Sequence, residues 1–219
     1  MAVLPLYRIR NGVYRQRAVF PDDYDVVGES LIDDKIVDHP EITYYHWMLL
    51  NRPACTSMHA MSTRRENGKF RTRHLHRVVW SIFNGPIPPR MTIDHKNLNG
   101  LDNRIENLRL ATMRQQSYNQ GKRRHNASKY KGVEIKKDQP RTKPYLGKLL
   151  SDRKTAWLGY YAVEEEAAFA HNIAAEICRG EFAWLNPIPP DSISPARQLE
   201  IRSIVEQKLR DRGLIPADN

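Results

Sequence analysis

Apolar positions along this chain recur with two different periods, and each change of period marks a change of element. Up to about residue 59 they form short strand-like pieces, residues 13–20 and 43–49 for example, separated by polar turns such as Pro21-Asp22-Asp23. Residues 73–83 switch to helical spacing, with Leu75, Val78, Val79 and Ile82 on one face, and Asn84-Gly85-Pro86 ends that run. A short strand over 91–93 then delivers the pair Asp94-His95. An Asn- and Gly-rich loop, 96–103, leads through Glu106-Asn107 into a strand over 108–111, and Thr112 is an N-cap for a polar helix over 113–119.

Residues 120–129, QGKRRHNASK, are polar, basic and free of apolar periodicity, the signature of a linker. Beyond them the period returns to two. Strands are predicted over 130–136, 145–151 and 154–160, joined by turns containing Pro140 and Asp152, an antiparallel meander by spacing. A helix over 164–179 follows and stops at Gly180; its inner face is read as Val163, Ala167, Ala170, Ala174 and Ile177, small enough to lie close on a sheet. After Pro187-Ile188-Pro189-Pro190 one amphipathic helix is expected over 196–212, with Ile201, Ile204, Val205 and Leu209 apolar, docking within the chain or on a second subunit. The fold class is α+β, with a β-rich region at 1–59, a central domain at 60–119, the linker at 120–129, a sheet-and-helix domain at 130–186 and a tail at 187–219.

Charge sharpens this picture. The 219-residue chain carries a net +10, and residues 60–160 hold 23 Lys and Arg against 7 Asp and Glu, a net +16 that leaves −6 for the two ends together. A basic middle attracts a polyanion by releasing its condensed counterions. No apolar run approaches a signal-peptide core or a membrane span, so a cytosolic location and no membrane partner are expected. The two cysteines, Cys55 and Cys178, lie far apart without CxxC spacing, which argues against a disulfide framework or a thiolate zinc site.

Hydrolysis of a phosphodiester requires that water be deprotonated, aligned opposite the leaving oxygen, and the charge of the transition state stabilised. An imidazole and one divalent metal can do this. Residues 90–119 hold a carboxylate beside an imidazole at Asp94-His95, carboxamides at Asn103 and Asn107, and further carboxamides at Gln116 and Asn119. Neighbours on a strand point to opposite faces, so Asp94 and His95 take different jobs. His76 is read as a packing or hydrogen-bonding histidine, and His46, His74 and His125 have no partners by spacing. Asn103 and Arg104 fit turn chemistry, with Arg104 also suited to a scissile phosphate. Arg109 alternates with Leu108 and Leu110, which turns it away from the core toward phosphate or solvent.

The run LHRVVWSIFNGPIPPRMTIDHKNLNGLDNRIENLRLAT, residues 75–112, resembles the HNH family of phage-type homing endonucleases, which have a ββα-metal fold. The resemblance implies a nuclease acting on double-stranded DNA, with His95 as general base, Asp94 as a ligand of one Mg²⁺ or Mn²⁺ ion per site, and Asn107 orienting His95 and bracing the loop. In the family a helix asparagine nine residues after the one matching Asn107 completes the metal site. Here that position is Gln116, with Asn119 about one turn further along the same face; either supplies the carboxamide oxygen, or the metal relies on Asp94 and the DNA phosphate.

Residues 130–186 resemble the AP2 domain, through Tyr130-Lys131-Gly132-Val133, Trp157-Leu158-Gly159-Tyr160-Tyr161, the helix alanines, and Arg179-Gly180 with Leu185-Asn186. That resemblance implies a three-stranded sheet laid in the DNA major groove. Candidate contacts are Lys131, Lys136, Arg141, Lys143, Lys148, Arg153, Lys154 and Trp157, subject to which strand face looks outward. One catalytic centre per chain implies nicking by a monomer or double cutting by a homodimer. Two rival readings remain at this stage, a DNA-binding regulator with a decayed centre, favoured by Gln116, and a nuclease for RNA or DNA ends.

Overall fold

The computed structural model describes residues 1–9, 24–50, 58–122, 127–136, 142–151 and 154–216. The expected strand at 13–20, the turn at 21–23, Cys55, His125, Arg141, Arg153 and the turn residues Pro140 and Asp152 lie outside the described residues. The chain forms two compact units, Met1–Arg114 and Gln115–Asn219. Mixed helix with small antiparallel sheets is consistent with the α+β class.

The first unit is built on a five-stranded sheet in the order β2-β1-β3-β4-β5. Its strands are β1 (Ala2–Ile9), β2 (Tyr24–Ile32), β3 (Met48–Leu50), β4 (His59–Glu66) and β5 (Lys69–His74). Only the β1 to β3 pairing is parallel. Between β4 and β5 the turn residues Asn67 and Gly68 both have positive φ, 49° and 78°, the geometry a two-residue hairpin needs to match strand twist. The strand expected over 43–49 forms only at its end. Pro40 at the first helical position and the His39 side chain accepting from the Glu41 amide start a short helix, α1 (Pro40–Thr43), instead.

Helix α2 (Leu75–Asn84) begins where β5 ends and stops at Gly85, φ 78°. Its buried Leu75, Val78 and Val79 join Leu6, Ile32, Ile42, Trp47 and Ala60 of the sheet region and Ile93 and Leu108 beyond it in one core. Each such fully buried aliphatic side chain contributes about 1.5–3 kcal/mol. Strands β6 (Met91–His95) and β7 (Leu108–Thr112) form a two-stranded antiparallel ribbon, and α3 (Met113–Tyr118) follows directly. The boundary drawn at 59/60 from sequence therefore runs through a single core.

In the second unit β8 (Val133–Ile135), β9 (Tyr145–Ser151) and β10 (Lys154–Tyr161) pair antiparallel in the order β10-β9-β8. Helix α4 (Glu164–Arg179) lies on this sheet through Ala167, Ala170, Ile173 and Ala174, all fully buried. The approach is close: a Cβ on Gly147 of β9 would sit 3.1 Å from the Ala167 carbonyl. Val163 and Ile177, expected on that inner face, are 45% and 37% exposed, because Val163 is the N-cap and Ile177 lies beyond the sheet-facing stripe. Helix α5 (Pro195–Asp211) docks on the same core through Ile201, Val205 and Leu209, and Arg197 clamps Glu166 of α4 at 2.7 and 3.0 Å. The tail helix is thus covered within its own unit. No helix among the described residues is long and apolar enough to cross a membrane.

Candidate active site

Strand β6 carries Asp94 and His95 into the interior of the first unit, and both are buried. Asp94 stands opposite Arg109 in the β6–β7 register, and the Arg109 Nε and Nη2 donate to Asp94 Oδ2 at 3.0 and 2.9 Å. Arg109 is only 8% exposed, so the expectation that it faces outward is corrected. Strand alternation places it away from Leu108 and Leu110, but the carboxylate across the ribbon draws it inward. A buried pair of this kind costs little while intact and a great deal when one partner is removed.

His95 is held by Asn103 rather than directly by Asn107. The Asn103 amide nitrogen donates to Ser30 Oγ at 2.8 Å and toward the Gly100 carbonyl at 3.4 Å, which fixes the amide so that its oxygen faces His95 Nε2 at 3.1 Å. Only an N–H can occupy that contact, so Nε2 carries the proton and the lone pair of the neutral ring is on Nδ1. Ser30 in turn donates to the Leu101 carbonyl at 2.9 Å. Asn107 braces the loop: its oxygen accepts from the Asn97 amide at 3.1 Å, and its nitrogen donates to Asn97 Oδ1 at 3.0 Å and to the Asp102 carbonyl at 2.7 Å.

Strand β2 pins the same loop from the other side. Leu31 exchanges backbone bonds with Leu101 and Asn103, both 2.8 Å, and Asp33 accepts from the Ile105 amide at 2.8 Å. Arg104 forks onto Asp102 at 2.8 and 2.7 Å and reaches Glu106 at 2.9 Å, holding the Asp102 carboxyl below the usual carboxylate range. Its guanidinium is therefore engaged within the loop.

Two further imidazoles meet His95. His59 opens β4 and His76 is the second residue of α2; their ring centroids lie 5.7 and 5.2 Å from that of His95 and 5.9 Å from each other. One ring nitrogen from each of the three falls within 4.8 Å of the others. The His76 Nδ1 is buried without a hydrogen-bond partner among the described residues. His74, at the end of β5, sets its ring 5.5 Å from that of His76 at a tilt of 31°. Gly100 makes the approach of His59 possible, since a Cβ there would lie 2.3 Å from the Met58 carbonyl and 2.5 Å from His59 Nδ1. Burial, and then the neighbouring rings, push His59 down to about 4 and His76 well below its ordinary value. Burial also lowers His95, partly offset by its bond to Asn103 and the charge of Asp102. All three rings are neutral at neutral pH.

Sequence spacing misses His59 altogether and gives His76 as a packing or hydrogen-bonding histidine. Nothing in the chain's periodicity marks His59, because only the sheet pairing brings the start of β4 beside the loop at Gly100. Gln116, half-buried on α3, and Asn119, buried just after it, belong to the second unit.

In that second unit the sheet's outer face is now defined. Trp157 is 46% exposed, Lys136 lies over its ring at 5.9 Å, and Glu134 bridges Lys136 and Lys148, the latter at 2.7 Å. Lys143 and Lys154 are exposed. Lys131 instead turns inward, donating to the carbonyls of Tyr118, at 2.9 Å, and Gln120, and burial pushes it down to about 8. His171 of α4 holds the Lys148 carbonyl at 2.8 Å through Nδ1, and Gly132, φ 75°, leaves room for it where a Cβ would fall 1.9 Å from that nitrogen.

The loop that holds His95, the ribbon that delivers it and the helix that brings His76 all fall in one stretch of sequence. Residues 73–118 match the family model described as HNH endonuclease. The chain is also similar to two viral proteins. The chain is 35% identical over 115 residues to "Uncharacterized HNH endonuclease L560" of Acanthamoeba polyphaga mimivirus, covering 52% of this chain and 57% of that one. It is 39% identical over 64 residues to "Protein 3.8" of Escherichia phage T7, covering 29% and 53%. The chain thus spans a little over half the length of each of these relatives.

Proposed function

We propose that the protein is a metal-dependent HNH endodeoxyribonuclease of the homing type, which hydrolyses phosphodiester bonds of double-stranded DNA. The observation that carries this reading is the fixed His95 ring: a buried, neutral imidazole whose tautomer is set by Asn103, inside the segment that matches the family. Its Nδ1 lone pair accepts the proton of the attacking water. The water oxygen bonds to phosphorus while the bond to the leaving oxygen breaks. Asn107 acts on the reaction by holding the loop that holds the ring.

The buried Asp94 carboxylate next to His95 is a hard oxygen donor of the kind that fits Mg²⁺ or Mn²⁺. Such an ion supplies positive charge to the scissile phosphate when bound. The second unit is read as an AP2-like module that supplies most of the DNA affinity. Support comes from its three-stranded sheet backed by α4 and from an outer face carrying Lys136, Lys148 and Trp157, with Lys143 and Lys154 exposed. Arg141 and Arg153 complete the proposed contacts by sequence position.

Supercoiled plasmid incubated with Mg²⁺ or Mn²⁺ tests the reading. Nicked or linear product that disappears with EDTA and with His95→Ala is expected. Intact plasmid at every ion concentration refutes the nuclease and leaves the DNA-binding regulator in its place.

A further inference from the structure

From the three imidazoles that converge beside the HNH loop we infer a second kind of metal site: His59, His76 and His95 together bind one divalent transition ion of the Zn²⁺ class, and that ion takes the catalytic base out of action. The first half stands on geometry alone. Three ring nitrogens from three separate elements, the start of β4, the first turn of α2 and the end of β6, lie within 4.8 Å of one another. Nitrogens bound to one ion at about 2.0–2.1 Å in a tetrahedral site sit about 3.3 Å apart, so closing this triangle asks for ring movements on the order of 1 Å. Three imidazoles with a fourth position open is a recurrent zinc ligand set, whereas Mg²⁺ takes oxygen.

A second observation points to an occupant. The His76 Nδ1 is buried and has no hydrogen-bond partner among the described residues, an arrangement that burial penalises unless something satisfies the atom. Packing alone would not call for it. Gly100, whose missing side chain admits His59 to the cluster, shows that the loop is shaped around that ring. The sequence-expected ligand, Asp94, is absent from this nitrogen cluster and is paired with Arg109, so the two donor sets are chemically distinct.

The second half rests on the nuclease reading. With Nε2–H donated to Asn103, His95 has one lone pair, on Nδ1. A lone pair held by an ion cannot accept the proton of water. Occupation of the three-histidine site and general-base catalysis are therefore mutually exclusive, and Zn²⁺ acts as an inhibitor of cleavage supported by Mg²⁺ or Mn²⁺.

The test uses the full chain. Competition with a chromophoric chelator at pH 7.5, without DNA, should show one Zn²⁺ per chain, and Co²⁺ in its place should give the visible absorption of a nitrogen-ligated four-coordinate ion. His59→Asn and His76→Asn should each weaken Zn²⁺ binding by 10- to 100-fold or more. His39→Asn, which keeps a residue able to cap α1, should leave it unchanged. In plasmid nicking with Mn²⁺, one equivalent of Zn²⁺ should slow the wild-type protein at least tenfold, and His76→Asn should need far more Zn²⁺ for the same fractional loss. Binding that is not one to one, or that ignores both substitutions, overturns the site. Zn²⁺ bound there with nicking undiminished overturns the competition. A chain that binds Zn²⁺ through these rings yet never nicks DNA refutes the nuclease reading and leaves the site standing.

Discussion

Replacing Asn103 by alanine isolates the device that sets the His95 tautomer. One amide makes three contacts, to His95 Nε2 at 3.1 Å, Ser30 Oγ at 2.8 Å and the Gly100 carbonyl at 3.4 Å, in a position with no solvent access. The last is long and adds little. Loss of the other two leaves a buried imidazole N–H without its acceptor and a hydroxyl without its donor, at about 1–2 kcal/mol each, so the first unit should lose about 2–4 kcal/mol of stability. Urea unfolding followed by fluorescence, with the slope unchanged, would measure it. The effect on cleavage should be larger. A ring free to carry its proton on either nitrogen and to turn within the pocket forfeits most of the 10²–10⁴-fold that a positioned base contributes. Asn103→Asp separates the two effects: its carboxylate still accepts from His95 Nε2–H but cannot donate to Ser30 or to Gly100. It should be at least as unstable as the alanine variant and yet cleave plasmid faster. If both variants nick at rates that follow only their folded fractions, the tautomer argument is wrong.

Three further outcomes follow from buried groups and exposed faces. Arg109→Leu strands the Asp94 carboxylate in the interior and should cost about 3–5 kcal/mol in urea unfolding, far more than an exposed arginine would. His171 is buried and pushed down to about 4, so it is neutral in the folded second unit and charges first in the unfolded chain. Its contribution is therefore complete above pH 6.5 and declines as pH falls from 6.5 toward 4. At full development the loss is of order 3 kcal/mol, and an acid titration of thermal unfolding in wild type and His171→Gln should show the difference vanish below that window. Trp157→Ala, by contrast, should leave stability within about 0.5 kcal/mol while weakening DNA binding roughly tenfold in a gel-shift or anisotropy titration. An equal fall in stability would make Trp157 a packing residue and sink its role as a contact.

Much of the fold was legible because periodicity reports local structure. The helices expected over 73–83 and 164–179 and the strands expected over 91–93, 108–111 and 145–151 form within two residues of those bounds, with Gly85 and Gly180 as stops. What periodicity cannot report is which distant elements meet. A strand is expected from Thr43 onward, yet the proline and cap just before it settle a helix that ends at Thr43. Arg109 looked outward by alternation, and only the cross-strand register shows that Asp94 stands opposite to receive it. Val163 and Ile177 fit the helical stripe by count, but Val163 is the N-cap and Ile177 falls in the last turn, and both stay partly exposed.

The candidate site shows the same division more sharply, because its chemistry is set by residues that no local motif contains. The run at 75–112 draws the eye to Asp94, His95 and Asn107, but not to what each touches: Asp94 pairs with Arg109 and Asn107 braces the loop without reaching His95. The atom that fixes the ring, Asn103 Oδ1, is itself aimed by Ser30 of β2, and the loop beneath it is paired to Leu31 of the same strand. His59 enters from the sheet as well, through the gap at Gly100. A ββα segment removed from this sheet would keep the base but lose its tautomer control and one of the three imidazoles. Strands β2 and β4 are therefore part of how the candidate centre is built, and the unit that a test of the nuclease reading must keep intact includes this sheet rather than starting at the motif.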